Sequence, residues 1–202
     1  MELDFTQLAP LDAYRWLAST VTPRPIAWVS SISREGVSNL APFSFFQVIS
    51  DEPPTLMVNV NHHGDGSLKD TLRNVQATGE LVIQLVSFAQ AEQMNASSAG
   101  FEHGVSEFER CQIGSTASRL IAPPRVTDSV IAFECKVAEI QPYPRDKPNC
   151  HMIFAQVLMA HVSDAVLNDK GRVDPHKMDL VGRLGGAAYT RTLETFEMVR
   201  PG

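Results

Sequence analysis

Val130-Ile-Ala-Phe-Glu-Cys-Lys-Val-Ala-Glu-Ile140 and His151-Met-Ile-Phe-Ala-Gln-Val-Leu-Met-Ala-His-Val162 flank the breaker-rich loop Gln141-Pro-Tyr-Pro-Arg-Asp-Lys-Pro148. Both runs are long, apolar and rich in β-formers, and the prolines between them force a turn, so they predict two long strands. Working back along the chain, Leu81–Val86 and Thr55–Asn61 have the same character, the latter opened by the Asp51-Glu-Pro-Pro54 turn. Ile26–Ser33 and Val37–Pro42, separated by Arg34-Glu-Gly36, predict a hairpin. Many antiparallel strands with few helices between them do not fit a doubly wound parallel sheet. The pattern is mostly β with a few helices, a barrel or sandwich with helices attached. Neither G-x-G-x-x-G nor G-x-x-x-x-G-K-S/T occurs, which removes the usual dinucleotide and P-loop folds.

The 202 residues suit one domain spanning 1–202, with no linker, charge block or repeat to divide them. Apolar residues are 44% and charged residues 20%, so neither disorder nor a membrane span is expected. The net charge of -6 and the scatter of the 17 basic residues argue against a nucleic-acid surface. Met1-Glu-Leu-Asp-Phe5 lacks a basic segment followed by an apolar one, so a cytoplasmic protein is expected. Cys111, Cys135 and Cys150 are odd in number and far apart, which suits reduced, buried thiols. No H-E-x-x-H or Cys/His ligand spacing is present among the six histidines, so no metal is expected, and His62-His63 reads as a surface turn. No G-x-S-x-G elbow is present either.

Helices are predicted over Ala13–Ala18, capped by Asp12, over Ala89–Ala99, and over Ser67–Thr78. In the last, Ser67 is the expected N-cap, Asp70 completes an approximate capping box and Gly79 stops the helix. Its start offers free N–H groups and the positive end of a dipole, with Lys69 and Thr71 as further donors, which fits a phosphate; Asp70 opposes one unless its carboxylate is directed elsewhere. The same residues also suit an ordinary capped surface helix. Ala41-Pro-Phe-Ser-Phe-Phe46 places aromatics and accessible backbone around a small serine, which suits a planar heterocycle; Phe43, Phe45 and Phe46 are equally suited to a core or a subunit interface. Arg183-Leu-Gly-Gly186 with Tyr189 is either a ligand-approaching loop or a plain turn into a terminal helix.

Taken together, Thr22-Pro-Arg-Pro-Ile-Ala-Trp-Val-Ser-Ser31, Asn39-Leu-Ala-Pro-Phe-Ser-Phe-Phe46, Asp51-Glu-Pro-Pro54, Lys69-Asp-Thr-Leu-Arg-Asn74, Met94-Asn-Ala-Ser-Ser98 and the Arg183–Tyr189 segment resemble, in order, the flavin reductase-like proteins with an FMN-binding split β-barrel. That family includes reductase components of two-component monooxygenases. The resemblance implies that Ser30, Ser31, Pro42, Phe43, Ser44 and Phe45 contact the flavin ring and ribityl chain. It implies that Lys69, Asp70 and Thr71 hold the phosphate, and that Asn95, Arg183, Gly185, Gly186 and Tyr189 reach the flavin, from a partner subunit in some members. It further implies FMN rather than FAD, since no second phosphate or adenine site is visible, with NAD(P)H as co-substrate, a homodimer, and a monooxygenase partner receiving reduced flavin. The implied activity is NAD(P)H:flavin oxidoreduction. Alternatives are a non-enzymatic flavin carrier or electron-transfer flavoprotein, or a flavin-dependent oxidoreductase of an unknown small molecule. Hydride transfer to a flavin needs stacking and orientation more than a protein acid or base, so no catalytic side chain is assigned.

Overall fold

The computed structural model describes residues 1–202. Helix α1 (Pro10–Thr20) leads through a two-residue strand β1 (Arg24–Pro25) into β2 (Ala27–Ile32), β3 (Ser38–Phe43), β4 (Phe46–Asp51) and β5 (Pro54–Asn61). After α2 (Asp70–Thr78) come β6 (Glu80–Leu85), α3 (Ala91–Ala96), α4 (Glu107–Arg110), and the short strands β7 (Ser115–Thr116) and β8 (Arg125–Val126). The long strands β9 (Ile131–Tyr143) and β10 (Cys150–Val162), then α5 (Pro175–Met178), β11 (Val181–Arg183) and β12 (Tyr189–Arg191), complete the chain.

Seven strands form one sheet in the order β3-β2-β6-β9-β10-β5-β4, antiparallel throughout. Its edge strands, β3 and β4, are consecutive in sequence and separated only by Ser44 and Phe45. This two-residue connection brings the two edges together and the sheet curls into a barrel, with Phe43 of β3 sharing one core with Leu56 and Val58 of β5. Register shifts at Phe154/Ala155 and Val157/Met159 let the long β9–β10 ribbon bend around this curve.

Alternation along β2 shows why both sides of the wall are buried. Ala27 and Val29 face the barrel interior with Phe43, Val58, Leu81, Ile83, Cys135 and Ile153, and α2 contributes Leu72 and Val75 to the same core. Ile26 and Trp28 face outward into a second core with Leu40, Met94 and Phe108, where α3 and α4 cover the sheet. The Trp28 indole N–H donates to Ser97 Oγ at 2.9 Å, satisfying a polar group that burial would otherwise orphan.

Several boundaries differ from the sequence reading. Pro10 starts α1 at its first position, while Asp12 sits in the first turn paired with Arg15 at 3.1 Å and does not cap. Lys69, not Ser67, is the N-cap of α2, because Ser67 N–H and Oγ both donate to Asp65, at 2.8 and 2.7 Å. A carboxylate two residues upstream competes for Ser67 more locally than the helix does. Gly79 closes α2 in the left-handed region at φ 72°, as its position predicts. The Ala89–Ala99 helix shortens to a 3-10 turn over Phe88–Gln90 followed by α3. β9 runs on through Gln141–Tyr143, assigned above to a loop. Beyond Val137, whose N–H donates to the Gly79 carbonyl at 2.8 Å, it pairs with β10 alone, and one open side tolerates Pro142. β3 ends at Phe43, so Ser44 and Phe45 form the bend between strands. No terminal helix follows Tyr189; that residue opens β12, and Thr192–Gly202 has no regular structure.

Candidate functional site

A cleft of about 780 Å³ opens where the start of α2, the end of β3, the segment Ser97–His103 and the start of α4 converge. Of the expected site residues, Pro42, Phe43, Lys69, Asp70 and Thr71 line it. The barrel explains the convergence. Leu72 and Val75 anchor α2 in the core, which fixes its first turn against β3.

Lys69 is half-buried, and its ammonium lies over the Phe43 ring, 5.8 Å from the centroid. It takes part in none of the four ion pairs of the chain, and burial pushes it below the usual lysine range. Just after it, the N–H groups of Asp70 and Thr71 donate to no backbone carbonyl, as the first turn of a helix requires. An unpaired cation beside free amides at the positive end of a helix is an anion site.

The two side chains whose roles were open are both committed. Asp70 Oδ1 lies 2.6 Å from His103 Nδ1, and its Oδ2 accepts from Gly104 N–H at 3.1 Å, so its charge is drawn toward the facing loop. The Thr71 hydroxyl donates to Asn39 Oδ1 at 2.8 Å, leaving its N–H, not its side chain, for a ligand. Glu107, on the cleft wall, accepts from Asn39 Nδ2 at 2.8 Å through each oxygen and from Leu40 N–H at 2.7 Å. Burial pushes the Glu107 carboxyl up, against these hydrogen bonds.

The remaining expected residues lie elsewhere in the single chain. Ser30 and Ser31 are fully buried in β2; Ser30 donates to the Pro124 carbonyl, and Ser31 accepts from Asn74 Nδ2 at 3.1 Å. Asn95 is exposed on α3, its carbonyl accepting from Ser98 Oγ at 2.6 Å. Ser44, Phe45 and the Arg183–Tyr189 loop gather around Arg24, which the sequence reading did not single out. Its buried guanidinium donates to the carbonyls of Ala18, Val21 and Leu184 at 2.5, 2.7 and 3.1 Å, contacts Ser44 Oγ at 3.4 Å, and lies 5.8 Å from the Phe45 ring centroid. With no carboxylate nearby, the negative end of α1 supplies its counter-charge. Arg183 stacks on Tyr189 at 4.5 Å and donates to the Tyr189 hydroxyl and to the Gly186 carbonyl at 2.5 Å. Gly186 takes φ 58°.

Gly185 presses against α1: a Cβ there would stand 2.4 Å from Ser19 Oγ and 2.8 Å from Ser19 Cβ. Gly185→Ala is expected to cost about 1–3 kcal/mol by overpacking, read as a lower thermal midpoint, with Ser19→Gly restoring most of it.

The His62-His63 dipeptide divides between two settings. His62 Nε2 lies 3.0 Å from His151 Nδ1 with the rings stacked 5.1 Å apart, and His63 lines the cleft. No group of three or more His, Cys, Asp or Glu side chains is arranged to hold a metal ion.

Residues 19–175 match the family model of the flavin reductase like domain. An uncharacterized protein of Aquifex aeolicus is 39% identical over 178 residues, 88% of this chain and 89% of the relative. Nitrilotriacetate monooxygenase component B from Bacillus cereus superposes with a TM-score of 0.93 at 30% identity, covering 98% of each chain. The 2-nitrobenzoate 2-nitroreductase NbaA of Pseudomonas fluorescens gives 0.88 at 31% identity, over 100% of this chain and 96% of its own. The chain belongs to the flavin reductase-like family, and its curled sheet is the split barrel.

Proposed function

We propose that the cleft binds FMN with its phosphate at the start of α2, and that the protein is an NAD(P)H:flavin oxidoreductase. The observation that carries this is Lys69, an unpaired, half-buried ammonium next to free helix amides in a cleft large enough for a flavin nucleotide. Lys69 and the Asp70 and Thr71 N–H groups would hold the phosphate, while Pro42 and Phe43 give the cleft an apolar wall. FAD is less favoured, because the cleft presents one such anion site. When bound, the flavin supplies the redox chemistry, accepting a hydride at N5 from a nicotinamide cofactor. The chain's part is binding, orientation and exclusion of water.

Anaerobic mixing with FMN and NADH or NADPH, followed at the flavin absorption bands, tests the activity. Rapid bleaching is expected, and an unchanged spectrum with both nicotinamides would overturn the reductase reading in favour of a flavin carrier. A second reading, direct reduction of a small molecule on the bound flavin, draws on the 31% identity to a nitroreductase. Oxidation of the bleached flavin by an added nitroaromatic under the same conditions distinguishes it. Similarity to a monooxygenase component B supports an oxygenase as the acceptor of reduced flavin.

The same reading makes the protein a cytoplasmic homodimer. Its three cysteines are free thiols, and no helix is long and apolar enough to cross a membrane. Phe43 is buried in the barrel core and Phe45 and Phe46 are half-buried, so the exposed apolar surface lies beside them instead. Leu11, Tyr14 and Leu17 on α1, with Val48 and Ile49 on the edge strand β4, are exposed. Such a surface suits a second copy. Light scattering is expected to give twice the 22.2 kDa chain mass; a single-chain mass would count against the dimer.

A further inference from the structure

Resting on that phosphate reading, we infer that Glu107 is a positioning residue for the phosphate end of the cleft, acting through Asn39 on Thr71. The three side chains come from α4, β3 and α2, are 8%, 6% and 1% exposed, and form one directed chain of hydrogen bonds. An ionised carboxylate can only accept, so Glu107 fixes which end of the Asn39 amide faces it. Asn39 Nδ2 is spent on Glu107, which turns Asn39 Oδ1 toward α2, where the Thr71 hydroxyl donates to it. Leu40 N–H donates to the same carboxylate and holds it against β3. The first turn of α2, with its free N–H groups and Lys69, is thereby tied at Thr71 to the barrel wall.

The sign of the effect separates this role from the alternatives. By charge alone, Glu107 opposes a phosphate, and its removal would tighten FMN. As a positioning residue, its removal frees Asn39 and Thr71 and weakens FMN. As a merely structural residue, its removal weakens FMN and riboflavin alike. Glu107→Ala is expected to weaken FMN about three- to tenfold and to leave riboflavin unchanged, by fluorescence-quenching titration. Glu107→Gln retains an acceptor for Leu40 and a donor for a turned Asn39 amide, and is expected to recover most of the loss. Asn39→Ala should match Glu107→Ala, and the double variant should be no worse than either, because both cut one relay.

Thr71→Val reads the far end of the relay without opening the Glu107 site, and is expected to weaken FMN by a similar factor with riboflavin unchanged. Tighter FMN in Glu107→Ala, equal loss of both ligands, multiplied effects in the double variant, or an unaffected Thr71→Val would each overturn the inference. Wild-type protein that binds FMN no better than riboflavin would instead overturn the phosphate reading on which it rests.

Discussion

Lys69→Ala is expected to weaken FMN about 10- to 100-fold and to leave riboflavin, which has no phosphate, nearly unchanged. The substitution deletes a charge-assisted hydrogen bond worth roughly 1.5–3 kcal/mol. Part of the affinity should survive, since the α2 amides are backbone groups that no side-chain change removes. The effect belongs at the upper part of the range because Lys69 is half-buried and has no competing carboxylate to satisfy it before the ligand arrives. Burial also sets the pH dependence. The Lys69 ammonium is held below the usual lysine range, and a phosphate beside it would restore the charged form. FMN binding should therefore weaken as pH rises through the lowered value, and this slope should vanish in Lys69→Ala. Titrations of FMN and riboflavin across neutral and alkaline pH check both. An alanine variant that keeps wild-type FMN affinity would put the phosphate elsewhere.

How much of this site could be read from the sequence depends on how far apart its partners lie along the chain. The barrel strands were legible because β-branched runs bounded by Pro and Gly act locally, and Gly79 marks the end of α2 for the same reason. Lys69 and Thr71 were legible as neighbours of a predicted helix start. Ser67 misled because its real acceptor, Asp65, is two residues away on the side that a capping pattern does not inspect. Glu107 and Arg24 carried no local signal at all. Glu107 sits 68 residues from Asn39, and Arg24 sits 160 residues from Leu184, so only the closed barrel brings them together. A buried charge is recognised by what it touches, and those contacts are tertiary. The Arg183–Tyr189 loop shows the reverse case: its composition attracts notice, yet within one chain it packs on α1 and Arg24, away from the cleft.

Glu134, near the start of β9, is the other buried charge that the sequence conceals, and removing it should produce the largest loss of stability. The residue is fully buried; its two oxygens accept from Arg119 N–H and Leu120 N–H at 2.7 Å each, and Oε1 lies 2.6 Å from His161 Nε2. These bonds pin the loop containing Ile121 over Val82 and Ala132 on the outside of the barrel, where Glu80 adds a bond to Ala122 N–H at 2.9 Å. Hydrogen bonds to a charged group are worth about 1.5–3 kcal/mol each. Glu134 accepts two such bonds from the backbone and makes a third polar contact with His161, so Glu134→Ala is expected to cost about 3 kcal/mol. For a chain of this length that is a fall of roughly 6–12 °C in the thermal midpoint. Burial pushes the carboxyl up, but the two backbone donors and His161 outweigh it and hold it below the usual glutamate range. A depressed value in the folded state means that the stabilisation is complete above the unfolded glutamate value, about 4.3, and is lost as pH falls through the folded one. The gap in midpoint between wild type and Glu134→Gln, which keeps the shape but loses the charge, should therefore narrow as pH falls below the unfolded glutamate value. Thermal melts followed by circular dichroism at neutral and acid pH measure it. Equal midpoints at neutral pH would show that the loop is held by its apolar contacts alone.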